Sequence, residues 1–148
     1  MKRETATLPR KALLDARRWY LVDAQGKMVG RLASVIAGVL RGKNNPAFSP
    51  HLDSGNFVIV INARQVRFSG KKLRDKIYYR HTGYPGGIRK TSAEQLVASR
   101  PEEVLKKAVH GMLPKTPLGR HLAGKLKVYP GPDHPHTAQQ PVTFSLGE

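Results

Sequence analysis

The chain predicts an α/β domain, and three stretches carry that prediction. Trp19-Tyr20-Leu21-Val22 has the aromatic and branched content of a short buried strand. Leu32, Val35, Ile36, Val39 and Leu40 recur at i, i+3, i+4, i+7 and i+8, the spacing of an amphipathic helix. Phe57-Val58-Ile59-Val60-Ile61 is a continuous apolar run, as expected of a strand covered on both faces. Strand, helix and strand in that order predict a parallel crossover. At 148 residues the chain suits one domain, since a domain of this size buries roughly 70% of its unfolded surface. The predicted division is a basic N-terminal arm over 1–17, one α/β domain over 18–129 and an extended Pro-rich tail over 130–148.

The remaining elements follow from local chemistry. Asp23, Gly26 and Gly30 make the turn into the first helix, which stops near Gly42. Asn44-Asn45-Pro46 and Pro50 form a loop. Val66 and Phe68 alternate weakly before a turn at Gly70, and Leu73 to Arg80 reads as a basic strand projecting from the body. Thr91 with Glu94, or Ser92 with Gln95, offers a capping box for a short helix ending near Ser99. Pro101 opens the next helix, with Glu102 and Glu103 at its positive end and Val104, Leu105, Ala108, Val109, Met112 and Leu113 on one face. Lys106, Lys107 and His110 fall opposite. Pro114 and Pro117 end that helix, and Leu118, Leu122 and Leu126 predict a further basic helical segment before Val128-Tyr129. Pro130, Pro132, Pro135 and Pro141 then read as a tail that takes its order from a partner surface.

The charge is the strongest functional signal. A formal net charge of +16 and a pI near 10.6 exceed what solubility requires, a net charge of roughly 2–8 for a small domain. Bases are spread along the entire chain, so a polyanion explains them better than one pocket for a small acid. Between Asn62 and Lys90 nine bases face a single acid, Asp75, and Tyr78, Tyr79 and Tyr84 lie among them. Cations suit phosphates and flat rings suit exposed bases, which points to folded RNA. The chain has no cysteine, so disulfide frameworks, thiol catalysis and cysteine-ligated metal are excluded, and an intracellular protein is expected. No apolar run has the roughly 18–20 residues of a membrane span. The N-terminal bases also fit an organellar presequence, against which stand Glu4 and Asp15.

Several local motifs need weighing. Gly26-Lys27-Met28-Val29-Gly30 lies between strand and helix, where N–H groups can hold phosphate, but it matches neither the dinucleotide nor the P-loop fingerprint. An ordinary turn is expected there, and no nucleotide cofactor. His81-Thr82-Gly83-Tyr84-Pro85-Gly86-Gly87 is glycine-rich between basic flanks and is read as a loop that lets backbone approach RNA. Adjacent strand residues point to opposite faces, so at most one of Tyr78 and Tyr79 should pack inward. Lys115, Arg120, Lys125 and Lys127 have no acid among them and fit either a solvated face or a second phosphate-binding surface. His134-Pro135-His136 lacks a third well-placed ligand, so no metal is expected. No catalytic motif is evident, and no enzymatic activity is expected.

Taken in order, Trp19-Tyr20-Leu21-Val22-Asp23-Ala24, Val29-Gly30-Arg31-Leu32-Ala33, Tyr78 through Gly87, Gly111-Met112-Leu113-Pro114, Leu118-Gly119-Arg120, Leu126-Lys127-Val128-Tyr129 and His134-Pro135-His136 leading to Ala138-Gln139-Gln140-Pro141 resemble the bacterial large-subunit ribosomal protein thirteen family. The resemblance spans roughly residues 17–141, and Arg64 departs from it where the family more often carries an acid. It implies a three-layer α/β/α domain with a central, mostly parallel sheet, a basic arm, a projecting basic loop and an extended tail. It further implies a cytoplasmic, ribosomal protein, one copy per ribosome, that binds large-subunit (23S-type) rRNA beside neighbouring large-subunit ribosomal proteins and assists early assembly. The resemblance assigns RNA contact to Tyr79, Arg80, His81, Gly83 and Tyr84, then to Lys115 and Arg120. Charge alone adds Lys71, Lys72, Arg74, Lys76, Arg89, Lys90, Lys125 and Lys127.

Overall fold

The computed structural model describes residues 9–144; the predicted arm's residues 1–8 and the tail's residues 145–148 lie outside them. Strand β1 (Trp19–Asp23), helix α2 (Val29–Arg41) and strand β2 (Phe57–Ile61) form the predicted crossover, after a short helix α1 (Arg10–Asp15). β1 and β2 pair in parallel, from Trp19 opposite Phe57 to Asp23 opposite Ile61. Strand β5 (Leu126–Val128) joins the far side of β2, and β6 (Val142–Thr143) joins the far side of β1, both in parallel. The order β5-β2-β1-β6 is thus a four-stranded parallel sheet, and helices flank it in a three-layer α/β/α domain.

Burial explains why these segments were readable. Val58, Ile59 and Val60 are all buried although they alternate between faces, so both faces of β2 are covered. Leu32, Ile36, Val39 and Leu40 bury the inner face of α2, while Val35 sits at its edge and is 40% exposed. Gly42 caps that helix in the left-handed region at φ 82°, where the apolar periodicity ends. Helix α5 (Pro101–Met112) adds Val104, Leu105 and Val109 to the same core, with proline in its first turn and Glu102 and Glu103 at its positive end.

Elsewhere the structure differs from expectation. The stretch Leu73–Arg80 is not one strand: helix α3 (Lys72–Asp75) precedes strand β3 (Ile77–His81). β3 pairs antiparallel with β4 (Ile88–Ser92) to form a hairpin outside the main sheet. Of the two capping boxes, Ser92 with Gln95 is the one formed, at the start of helix α4 (Ala93–Ser99); Thr91 is held in β4. The Leu118–Leu126 periodicity is cut short, because helix α6 (Pro117–Gly124) ends before Leu126, which enters the sheet.

The described part of the arm and tail is tied to the body. Leu13 of α1 is buried, and the Arg17 guanidinium pairs with Asp53 at 2.6 Å. In the tail, Phe144 N–H donates to Leu21 O at 2.8 Å, and its ring meets Tyr20 edge-on with centroids 5.4 Å apart. His136 lies 2.7 Å from the Tyr129 hydroxyl and beside the Trp19 ring. These contacts, with the pairing of β6 to β1, seat the described part of the tail against the body.

Candidate nucleic-acid interface

The hairpin presents two chemically different faces. Opposed residues in an antiparallel pair share a face, so Tyr79 with Lys90 and His81 with Ile88 form one side, while Tyr78 with Thr91 and Arg80 with Arg89 form the other. Tyr78 is half-buried against the core, and Tyr79 is 64% exposed, so the two tyrosines divide as strand geometry requires. The Lys90 ammonium lies 5.8 Å from the Tyr79 ring centroid. Burial raises the Tyr78 phenol above its ordinary value, and the ammonium groups of Lys76 and Lys107 lie 5.2 and 5.3 Å from its ring centroid.

Arg80 opposite Arg89 is the telling pair. Like charges placed directly across a two-stranded sheet destabilise it, and no carboxylate reaches either guanidinium among the described residues. A hairpin built this way gains stability from an external anion. Its tip turns through two glycines, Gly83 and Gly86, with φ of 94° and 73°, values that a side chain would strain. The Gly83 N–H donates to His81 Nδ1 at 2.9 Å, which fixes the imidazole, and Tyr84 stands 76% exposed beyond it.

The other predicted bases fall into separate groups. Lys71, Lys72, Arg74 and Lys76 surround α3 and are exposed. Lys72 and Lys76 line an open cleft of about 730 Å³ between the start of α2, α3, β3 and α5. Arg31, Arg67 and Lys107 complete its cationic rim. Lys115 and Lys127 meet in a second cleft of about 720 Å³, with Lys106, Lys107 and His110. Arg120 is exposed on α6 and lines neither.

Lys125 is a correction. It is buried, its ammonium pairs with Asp53 and donates to Gly55 O at 3.0 Å, and the Phe57 ring lies below it. Burial draws it below the ordinary lysine value, against the hydrogen bond and charge of Asp53. It serves the interior and not a phosphate-binding surface. The predicted turn at Gly26 is also an internal matter, since the N–H groups of Gly26, Lys27 and Val29 are taken by Gln65, Ala24 and Arg67 carbonyls. Among the described residues no group of three metal-ligating side chains comes together, and no helix is long and apolar enough to cross a membrane.

Arg31, Arg67, Lys106 and Lys107 were absent from the expected site, although Arg67 was one of the nine bases between Asn62 and Lys90. Lys106 and Lys107 were visible only as the polar face of α5, and Arg31 only within the motif Val29-Gly30-Arg31-Leu32-Ala33. The long-range packing of the helices is what adds them to the other bases.

A model of the family described as ribosomal protein L13 matches residues 17–135. The chain belongs to this family. Relatives named large ribosomal subunit protein uL13 support the match along nearly the full length. The one from Symbiobacterium thermophilum is 58% identical over 130 residues, 88% of this chain and 91% of the relative. That from Psychrobacter cryohalolentis is 56% identical over 140 residues, covering 95% and 99% of the two chains. That from Gloeothece citriformis is 54% identical over 143 residues, covering 97% and 94%. The chain is therefore a ribosomal protein of the L13 family, and its projecting hairpin lies inside the matched region.

Proposed function

We propose that this L13-family protein is a structural constituent of the large ribosomal subunit that binds large-subunit rRNA and assists early subunit assembly, without a reaction of its own. The observation that carries the reading is the hairpin, with Arg80 opposed to Arg89, Tyr79 and Tyr84 in the open, and a glycine tip, all on a chain of charge +16. Phosphates would occupy the arginine face, and unstacked bases or sugars would meet the tyrosines. The basic groups around α3 and the second cleft offer further phosphate contacts at a distance from the hairpin. A rigid domain that grips separated RNA segments lowers the RNA's conformational freedom, which favours the folded particle. The protein works in the cytoplasm as one copy per ribosome, beside other large-subunit proteins.

Reconstitution of large subunits from rRNA and purified proteins tests the assembly role. Omitting this chain should stall the particles at an early intermediate, and adding it late should rescue them slowly. Unchanged assembly kinetics in its absence would refute the role.

A further inference from the structure

We propose that the cleft between α2, α3, β3 and α5 receives one nucleotide splayed out of the bound rRNA, its base on the apolar lining and its flanking phosphates on the cationic rim. The inference rests on the rRNA reading above and makes it more specific. A volume of about 730 Å³ falls within the range of roughly 300–1,000 Å³ typical of small-molecule and cofactor sites, so the cleft has room for a nucleotide projecting from a strand. Its lining combines five cations with apolar surface and no acid. A plain phosphate site has no use for the apolar part, and a plain apolar site has no use for the cations. A nucleotide has both chemistries.

The apolar part is specific. Met28 and Met112 are 41% and 48% exposed at the cleft, and unbranched thioethers adapt readily to a flat partner. Tyr78 supplies a ring whose vicinity holds the ammonium groups of Lys76 and Lys107. Lys107 also pairs with Glu103 at 3.4 Å, but Glu103 is not part of the lining. Tyr78 and Arg80 share one face of the hairpin, so a strand leaving the cleft would run directly onto the Arg80–Arg89 pair. An acidic peptide would satisfy the cations yet leave the methionines and the ring unmatched.

The test is photocrosslinking of the full-length chain to a large-subunit rRNA fragment bearing 4-thiouridine, combined with the variant Gly30→Trp. Gly30 lines the cleft and a Cβ there meets nothing within 4 Å, so a bulky side chain is accommodated at its root and none of the five cations is removed. The expected result is crosslinks on Met28, Tyr78 or Met112 that disappear in the variant, with affinity lowered about tenfold and the salt slope reduced as the flanking phosphates leave the rim. Should the variant fail to fold, the wild-type crosslink positions decide alone. Crosslinks confined to residues 79–90, with wild-type affinity in the variant and a retained preference for rRNA over control RNA, would overturn the cleft assignment and leave the rRNA reading intact. Loss of that preference in the wild type would overturn both. A decaglutamate peptide whose binding the variant blocks, while RNA binding is unaffected, would make the cleft a protein-docking site and also overturn the proposal.

Discussion

Asp53 holds two cations at once, and this decides how its neighbourhood responds to substitution. Lys125 is buried and Arg17 half-buried, so removing the carboxylate strands positive charge in the interior. Asp53→Ala should cost about 3–5 kcal/mol by chemical denaturation, the usual penalty for breaking a buried pair from one side. Lys125→Met should cost less, about 1–3 kcal/mol, because Arg17 still neutralises Asp53 and the methionine fills the space. The reverse ranking would show that the ion pair is not what binds the loop before β2 to the body. Burial also lowers the folded-state value of Lys125, so the unfolded chain binds that proton more tightly. Stability from this residue should therefore rise with pH through the window just below the ordinary lysine value, and Lys125→Met should remove that rise. Nothing in the local sequence announced this role, since Lys125 stands among Arg120 and Lys127 and its partner is 72 residues away. By contrast, Arg80 and Arg89 stand in a stretch where bases far outnumber acids, and although Asp75 and Glu94 are each five residues away, neither pairs with them among the described residues. Each substitution, Arg80→Ala or Arg89→Ala, should leave thermal stability unchanged or slightly raised while reducing the log–log salt slope of RNA binding by about 0.7–0.9. An unchanged slope would remove that residue from the phosphate contacts.

At the scale of elements, the hairpin's orientation depends on its junction with α4. Ser92 ends β4 and caps α4: its hydroxyl accepts from the Gln95 N–H, while the Gln95 side chain accepts from the Ser92 N–H, each at 3.3 Å. Ala93 N–H also donates to Lys76 O at 2.9 Å, which fastens the start of the hairpin to its end. Ser92→Ala should cost about 1 kcal/mol in a denaturant melt and speed amide exchange at the base of the hairpin before the core is affected. Exchange that accelerates uniformly would mean the cap supports the whole domain and not the hairpin in particular. Elements with a strong apolar pattern, such as β2, α2 and α5, were readable because burial on a flat or helical face leaves a period in the sequence. The pieces that escaped reading leave none. α3 is a four-residue turn of helix, KLRD, and β6 is two residues after a proline. Both owe their form to neighbours distant in sequence.

Taken as a whole, the molecule is a parallel α/β/α core that holds several cationic surfaces in fixed relation. The hairpin, the rim of the cleft beside Tyr78 and the cleft holding Lys115 and Lys127 share that core, and Lys107 borders both clefts. The excess of positive charge behind the proposed RNA binding was legible from composition because +16 is a global quantity. The grouping of its cations was not, because it is set by how α2, α3 and α5 pack. Equilibrium binding of the purified protein to large-subunit rRNA fragments and to length-matched control RNA, across a salt series, is the most direct test of the central claim. With about six to ten phosphate contacts, affinity should fall roughly 10³–10⁵-fold between about 50 and 200 mM salt, and one rRNA fragment should keep a clear preference at the upper end. Equal binding of all RNAs at every salt concentration would contradict the account, leaving charge as the whole of the interaction.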